Sequence, residues 1–316
     1  MRNTSTLFTI CNVVIVNIGI VNFFHWLSMG TVYILGAGFS KTCGIATDME
    51  MLDSLNRILI PEEGKYGGPP RTTIEYLREQ NFLGHQVGFE LFMSTLSSLK
   101  FLGEYLPESD RNVFREEEQE LRKALRNYLK SCVCKVNWEI EGKTILDFMG
   151  QVDWEQDFIL TFNYDLLLVA AAKRLNLKVE KRIIHLHGDV GKKILAWPTY
   201  TKFAFRTTKK PLAPRWQRGF KILRNQAEID RIVFIGYSMP QSDLEAKSLF
   251  NYSDWYNNNS AKVQVFSQGK IVPENKHYSY SIVVVNPCKQ IESNYKFFRK
   301  KPLFCQMTLE KWLTIK

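Results

Sequence analysis

The chain has 316 residues, which is enough for one large hydrophobic core and an inserted subdomain. Its hydrophobic content of 45% and charged content of 23% are those of a folded protein and exclude a disordered one. The formal net charge of +10 favours anionic partners, such as a dinucleotide, a nucleic acid or an acidic protein, although a basic solvated surface would account for it as well.

Residues 7–27 form an apolar run that is long enough to span a bilayer. Four polar residues, each costly in lipid, interrupt it: Asn12, Asn17, Asn22 and His25. The next apolar run begins at residue 31 and leaves almost no linker. We therefore expect residues 1–28 to come from an over-extended start, with Met29 as the true first residue. A membrane segment and a genuine soluble extension are the alternatives, and membrane association is not expected.

Residues 31–35 are a short β-branched and aromatic run that stops at Gly36. This pattern predicts a buried strand that enters a glycine-rich turn. After the turn, Thr47 and Glu50 have the spacing of a capping box and predict the start of a helix. Residues 61–71 are rich in glycine and proline and predict a loop.

From residue 72 to about residue 130 the pattern becomes helical. Leucines recur four residues apart at Leu121, Leu125 and Leu129, and the acidic residues within 116–120 are expected to form a polar face. We expect a helical insertion or cap of two to four helices in this part of the chain.

Strands are predicted again at residues 158–161, 182–186, 231–235 and 281–285, with helical stretches such as 166–175 and 220–227 between them. These apolar runs do not alternate with polar residues, which is typical of strands that are covered on both faces of a parallel sheet. The sequence therefore predicts an α/β fold: a doubly wound, Rossmann-like parallel sheet with a helical insertion or cap.

The predicted strands end in small or polar residues, and in doubly wound sheets ligands bind beyond the carboxyl ends of the strands. These ends are Gly36-Ala37-Gly38-Phe39-Ser40, Asn163-Tyr164-Asp165, His185-Leu186-His187-Gly188-Asp189, Gly236-Tyr237-Ser238 and Asn286-Pro287. The two glycines of the first end would let the backbone approach a pyrophosphate, although packing alone would account for them as well. Lys41 stands where the hydride-transfer fingerprint needs its third glycine, so this fingerprint is missing.

These segments resemble the motifs of sirtuins and stand in the same order. The resemblance covers roughly residues 31–290, apart from the helical insertion. It is carried by the first glycine segment with Gly44-Ile45, by Thr161-Phe162-Asn163-Tyr164-Asp165, by His187-Gly188, by Gly236-Tyr237-Ser238 and by Val285-Asn286. The resemblance implies a sirtuin-like NAD-binding catalytic domain over residues 29–316.

The resemblance also implies residue roles. Asn163 would hold the nicotinamide ribose and order the attacking water, and His187 would act as a general base, which suits an imidazole. Asp165 would lie near the nicotinamide carboxamide. The other contacts to the dinucleotide would come from Gly36, Ala37, Gly38, Phe39, Ser40, Gly236, Ser238 and Asn286.

Several of these residues would also suit a purely structural role. Asp165 would also suit the cap of the helix that follows it, and Ser238 would suit a simple turn. Asp243 is expected to cap a helix and not to touch a ligand. His185 alternates with His187 along one strand, so we expect one of the two to face the core and the other, His187, to face the pocket.

Two departures from the sirtuin pattern bear on the acceptor of the reaction. Protein-deacylating sirtuins carry a zinc module with two Cys-x-x-Cys pairs, whereas residues 188–235 of this chain contain no cysteine. Ala46-Thr47-Asp48-Met49 stands in place of their Pro-Asp-Phe-Arg. No zinc is expected, and water becomes the expected acceptor. The predicted reaction is hydrolysis of NAD to nicotinamide and ADP-ribose. ADP-ribosyl transfer, protein deacylation and a non-catalytic NAD or ADP-ribose sensor are the alternatives.

The six cysteines are scattered along the chain, and only Cys132 and Cys134 lie close together. Their Cys-x-Cys spacing supports neither a zinc chelate nor a disulfide framework. We therefore expect a reducing, cytoplasmic environment.

The helical insertion and the long separation of Ser40 from Asn163 resemble the zinc-less, sirtuin-like NAD hydrolases of bacterial antiviral defence. This resemblance implies an effector that is held off until homo-oligomerisation, or a partner chain such as a helicase or an argonaute-like sensor, activates it. Residues 191–227 contain ten basic residues, no acidic residue and several aromatic ones. This region is a candidate nucleic-acid or partner contact, with a solvated basic face over core aromatics as the alternative.

Overall fold

The computed structural model describes residues 30–56, 59, 88–102, 105, 108–192, 194–195, 206–224, 229–239, 243–259, 281–285, 293–295, 302–305 and 307–315. The strands in this part of the chain are β1 (Gly30–Leu35), β2 (Phe158–Thr161), β3 (Ile183–His185), β4 (Gly188–Asp189), β5 (Ile194–Leu195), β6 (Ile229–Ile235), β7 (Ser281–Val285) and β8 (Leu303–Cys305). The helices are α1 (Ala37–Lys41), α2 (Asp48–Asn56), α3 (Phe89–Leu102), α4 (Glu108–Lys135), α5 (Lys143–Gln151), α6 (Leu167–Arg174), α7 (Arg206–Arg224), α8 (Leu244–Asn259) and α9 (Leu309–Ile315).

Six strands form one parallel sheet in the order β3-β2-β1-β6-β7-β8. The chain moves outward from β1 to β3 on one side, and then returns to the other side of β1 and moves outward again from β6 to β8. This is the strand order of doubly wound dinucleotide-binding folds, with its switch point between β1 and β6. The predicted fold class is confirmed. The short strands β4 and β5 form a separate antiparallel pair.

The sheet is covered on both faces, which explains why its strands are apolar without alternation. Neighbouring residues of β1 point to opposite sides, so that Tyr33 and Leu35 join one core cluster and Val32 and Ile34 join the other. The first cluster includes side chains of α2 to α6, and the second includes side chains of α7 and α8.

The helical insertion between β1 and β2 contains α3 and α4 and contacts α2. The predicted leucine face of α4 is confirmed, since Leu121, Leu125 and Leu129 are buried. The polar face predicted within residues 116–120 is wrong at Glu118, which is buried and forms an ion pair with Arg122. Glu118 precedes Leu121 by three residues and therefore lies on the same side of the helix as the leucines.

The predicted capping box is half formed at the start of α2, because the backbone N–H of Glu50 donates to the carbonyl of Thr47 and not to its hydroxyl. Glu50 accepts hydrogen bonds from the backbone N–H of Thr47 over 3.1 Å and from its hydroxyl over 3.0 Å. Residues 1–28 and the loop predicted at residues 61–71 lie outside the described residues. A search of the described residues finds no helix that is both long and apolar enough to cross a membrane.

Candidate functional site

A cavity of about 400 Å³ opens at the carboxyl edge of the sheet, at the switch point between β1 and β6. The register of the sheet places it there, because Leu35 at the end of β1 pairs with Thr161 of β2 and with Ile235 of β6. The residues that follow these strands therefore meet at one edge. Nine of the residues predicted from the sequence line the cavity: Gly36, Ala37, Gly38, Ser40, Asn163, Asp165, His187, Gly236 and Ser238.

Two predicted residues are not among those that line the cavity. Phe39 is buried in the core, where its ring lies 5.2 Å from the ring of Phe148, so its side chain serves packing. Asn286 lies outside the described residues, and its predicted contact with the adenosine ribose stays a prediction.

The side chain of Asn163 connects the ends of β1 and β2. Its Nδ2 atom donates to the carbonyl of Gly36 over 2.9 Å and to the hydroxyl of Ser40 over 2.8 Å. Both amide hydrogens are therefore used within the protein. This arrangement makes the carbonyl Oδ1 the atom of the Asn163 side chain that suits a hydrogen bond from a ligand or a water.

Asp165 is the next residue in the series of hydrogen bonds that begins at Asn163. The hydroxyl of Ser40 donates to Oδ2 of Asp165 over 2.6 Å, and the backbone N–H of Leu167 donates to Oδ1 over 3.0 Å. Burial raises the pKa of Asp165 above its ordinary value, while these two hydrogen bonds act in the opposite direction. Asp165 thus bonds to the first residue of α6, although Leu166 and not Asp165 stands at the cap position, and it also lines the cavity.

His187 reaches the cavity from the segment after β3 and is only 4% exposed. Three aromatic rings surround its imidazole, with centroids 4.9 Å away at Phe162, 5.9 Å at Tyr164 and 5.9 Å at Trp216. Its Nε2 atom lies 3.7 Å from Oδ1 of Asp243, which is 2% exposed. The imidazole is therefore enclosed by rings and faces a buried carboxylate.

Asp243 also accepts hydrogen bonds from two other groups. The hydroxyl of Tyr237 donates to its Oδ2 over 2.8 Å, and the backbone N–H of Ala246 donates to its Oδ1 over 3.4 Å. The predicted helix cap at Asp243 is confirmed, but Asp243 also lines the cavity, which the sequence analysis missed. Spacing alone contains no signal for its approach to His187, because the two residues belong to different strand ends.

His185 lies beside the site and not among the residues that line it. It is buried, and its Nδ1 atom lies 3.3 Å from the carbonyl of Asn163. Burial lowers the pKa of His185, with Asp189 acting in the opposite direction. His185 therefore favours the neutral form near pH 7.

Arg215 of α7 braces the segment that carries both histidines. Its guanidinium donates to the carbonyl of His185 over 3.1 Å and to Oδ2 of Asp189 over 3.1 Å. Gly188, between His187 and Asp189, has a φ of 88°, a conformation that glycine adopts without strain. The segment is thus fixed at both ends, with His187 between them.

The glycines after β1 are needed for a close backbone contact with the segment after β6. The N–H of Gly36 donates to the carbonyl of Ile235 over 3.1 Å, and the N–H of Gly38 donates to that of Gly236 over 2.9 Å. A Cβ atom on Gly36 would lie 2.6 Å from Cα of Tyr237. These two N–H groups are therefore occupied within the protein, as the packing alternative for the glycines requires.

The basic region at residues 191–227 is described in part. Two of its residues point inward: Arg215 braces the histidine segment, and the ring of Trp216 lies 6.2 Å from that of Phe162. Trp216 packs against the core, as the alternative of core aromatics expects, whereas Arg215 does not belong to a solvated basic face, since its side chain is 18% exposed. Trp197, Tyr200, Phe203 and Phe205 lie outside the described residues, as do Lys193 and Lys202.

No protein-family model matches the chain, and no curated protein matches it. Within the described ranges, there is no group of three or more histidine, cysteine or acidic side chains that could hold a metal ion. The described part of the cavity offers amide, hydroxyl, carboxylate and imidazole groups, which suit hydrogen bonding and proton transfer.

Proposed function

We propose that the chain binds NAD in this cavity and hydrolyses the bond between nicotinamide and ribose. The observation that carries the proposal is that Asn163 and His187, from two different strand ends, line one cavity at the switch point of a doubly wound sheet. The cavity volume of about 400 Å³ also lies within the range of small-molecule sites. The ordered resemblance to sirtuin motifs supplies the identity of the substrate.

In the proposed reaction, the bond between C1′ of the ribose and the ring nitrogen of nicotinamide breaks. The electron pair of this bond goes to the ring nitrogen, and nicotinamide leaves as a neutral molecule. A water oxygen then bonds to C1′, and its proton passes to His187 and on to solvent. The products are nicotinamide, ADP-ribose and one proton.

The polar side chains suit the stages of this reaction. Oδ1 of Asn163 would accept a hydrogen bond from the attacking water or from a ribose hydroxyl, since its Nδ2 is held by Gly36 and Ser40. Asp165 would accept a hydrogen bond from the nicotinamide carboxamide. Positioning of this kind accounts for a large part of the rate enhancement in enzymes that bring a water to a reactive carbon.

The remaining walls of the cavity suit a planar ring and the exclusion of bulk water. Aromatic residues Phe162, Tyr164 and Tyr237 line one part, and apolar residues of the helical insertion, Leu125 and Leu129, line another. A mostly apolar wall with few polar groups is usual in small-molecule sites. Water exclusion also strengthens the electrostatic interactions that stabilise the developing positive charge at C1′.

We further propose that the activity is regulated and serves antiviral defence by depleting NAD in the cytoplasm. This part rests on the resemblance to the zinc-less defence effectors. Activation would come from homo-oligomerisation or from a partner chain such as a helicase or an argonaute-like sensor. The basic region at residues 191–227 would contact such a partner or a nucleic acid.

The test is incubation of the purified chain with NAD, alone and with added nucleic acid, followed by chromatography of nicotinamide and ADP-ribose. Asn163→Ala and His187→Ala should each abolish product formation. Lys173→Ala, an exposed change on α6 outside the basic region, should leave it unchanged. Undiminished turnover in both site variants would overturn the proposal. Label from NAD on protein would favour ADP-ribosyl transfer, product from acylated peptides would favour deacylation, and tight binding without turnover would favour a sensor.

A further inference from the structure

His187, Asp243 and Tyr237 form a connected buried group at the carboxyl edge of the sheet. The hydroxyl of Tyr237 donates to one oxygen of Asp243 over 2.8 Å, and the other oxygen lies 3.7 Å from Nε2 of His187. We propose that Asp243 is a positioning residue that orients His187 for proton transfer, and that Tyr237 holds Asp243 in place. This inference rests on the proposed hydrolysis of NAD.

Helix capping alone does not account for the environment of Asp243. A cap needs one oxygen near the first N–H groups of the helix, and a solvent-exposed side chain is sufficient for this role. Asp243 is instead 2% exposed and directs Oδ2 to the hydroxyl of Tyr237. A buried carboxylate is costly unless it has partners that compensate for lost hydration. The imidazole of His187 becomes one such partner when it is protonated and positively charged.

The carboxylate also determines which ring nitrogen of His187 carries the proton. A neutral imidazole that directs Nε2–H at Asp243 has its lone pair on Nδ1. The base that receives the proton is then Nδ1, and the positive charge that forms on the ring is stabilised by Asp243. The separation of 3.7 Å is longer than a hydrogen bond, and catalytic contacts of this kind shorten when substrate binds.

Tyr237 fixes the carboxylate through its own packing. Its ring stacks on that of Phe162 with 4.5 Å between centroids and an angle of 8°. Burial raises the pKa of Tyr237 well above its ordinary value, so the hydroxyl remains a donor at every physiological pH. Because Phe162 also contacts the imidazole of His187, the same ring supports both ends of the group.

The decisive variant is Asp243→Asn. Asparagine caps helices as well as aspartate does and still accepts a hydrogen bond from Tyr237, but it has no charge to offer to His187. We expect kcat for NAD to fall about 100-fold or more, the scale of a disturbed general base, with KM changed less than about threefold. The melting temperature should stay close to that of the wild type. Asp243→Glu, which restores the charge, should recover part of kcat, and Tyr237→Phe should lower kcat about tenfold.

Asp157→Asn is the matched control. Asp157 is also a buried carboxylate, and it accepts hydrogen bonds from the backbone N–H groups of Thr31 over 2.6 Å and of Asp153 over 3.0 Å, but it is not among the residues that line the cavity. This variant should lose stability and retain kcat. If Asp243→Asn does not fold, Asp243→Ser provides an uncharged cap in its place. Wild-type kcat in the folded variant would overturn the inference and leave the hydrolase proposal intact.

A second measurement does not depend on turnover. The ring nitrogens of His187 in ¹⁵N-labelled protein report the tautomer directly by NMR. We expect the Nε2–H form in the wild type and a loss of this preference in Asp243→Asn. The same tautomer population in both proteins would overturn the inference even if the chain did not cleave NAD.

Discussion

The side chain of Asn163 donates a hydrogen bond to the hydroxyl of Ser40 over 2.8 Å, although the two residues are separated by 123 positions in the sequence. The hydroxyl of Ser40 in turn donates a hydrogen bond to Asp165 over 2.6 Å. One short chain of hydrogen bonds therefore joins the turn after β1 to the turn after β2. Since each of its three members lines the cavity, any change in one is expected to disturb the others.

Ser40→Ala interrupts this chain at its centre. Asn163 would keep only the carbonyl of Gly36, and Asp165 would lose the strongest of the hydrogen bonds that lower its pKa. We expect the free energy of unfolding to fall by about 1–3 kcal/mol, because buried partners lose a donor and an acceptor. Urea denaturation measures the change. Ser98→Ala is the control, since the exposed hydroxyl of Ser98 donates to the carbonyl of Ser94 within the same helix, and a loss as large in this variant would contradict the prediction.

Asp165 makes stability depend on pH in a direction unusual for a carboxylate. Burial raises its pKa in the folded protein above the ordinary value of 3.8, so the folded state binds its proton more tightly than the unfolded state does. The resulting stability is fully present below pH 3.8 and is lost as pH rises through the folded-state pKa.

Asp165→Asn should remove this pH dependence. Asparagine can still accept from the N–H of Leu167, and it does not ionise. We expect the free energy of unfolding of the variant, relative to the wild type, to increase as pH rises from about 4 to 7. Urea denaturation at several pH values measures this difference. A difference that stays constant with pH would show that the pKa of Asp165 is the same in both states.

A comparison of Gly236 with Gly44 distinguishes the stability lost through a steric clash from the stability lost through a left-handed backbone conformation. Both have positive φ, 60° at Gly236 and 72° at Gly44. A Cβ atom on Gly236 would lie 2.2 Å from the backbone nitrogen of Phe39, whereas a Cβ on Gly44 would meet nothing within 4 Å.

Gly44→Ala should therefore cost about 1 kcal/mol of stability, which is the usual penalty of a left-handed conformation. Gly236→Ala should cost more than about 3 kcal/mol, because the turn after β6 must also move away from the turn after β1. Thermal denaturation of the two variants under the same conditions measures both values. Equal losses would mean that the close contact between the two turns is absent in solution.

Arg215→Ala tests whether the contacts of Arg215 with His185 and Asp189 stabilise the segment that carries both histidines. Removal of the guanidinium leaves the carboxylate of Asp189, which is 5% exposed, without its ionic partner. We expect a loss of about 3 kcal/mol in the free energy of unfolding, the scale found when one partner of a buried ion pair is removed. Lys221→Ala, an exposed change on the same helix, should alter stability by less than about 0.5 kcal/mol. A similar small effect of Arg215→Ala would contradict the role of the brace.

The strongest sequence signals gave the fold. β2 and β7 begin and end at the predicted residues, and β1 begins one residue earlier than predicted. These strands lie in the interior of the sheet, where burial on both faces requires continuous apolar runs. β8 and α9, near the end of the chain, were not predicted. β8 has only three residues and pairs with a single neighbour, so its sequence contains too few apolar positions to form a pattern.

The candidate site was predictable where residues follow strands and unpredictable where distant segments meet. Asn163, His187 and Ser40 could be named because the ends of parallel strands lie at one edge of a sheet. Asp243 was expected to cap a helix and not to touch a ligand, and no aromatic ring was predicted beside His187, because residue spacing does not show which side chains of distant segments come together.

The sequence by itself determined the class of fold and the edge of the sheet at which polar groups gather, because hydrophobic periodicity and strand ends are local properties of the chain. The tertiary structure decided what these groups do to one another. It turned Asn163 so that its amide hydrogens are used by Gly36 and Ser40, and it brought the carboxylate of Asp243 to within 3.7 Å of His187. Such relationships depend on side-chain orientation and on the packing of separate elements, and neither has a period or a spacing in the sequence.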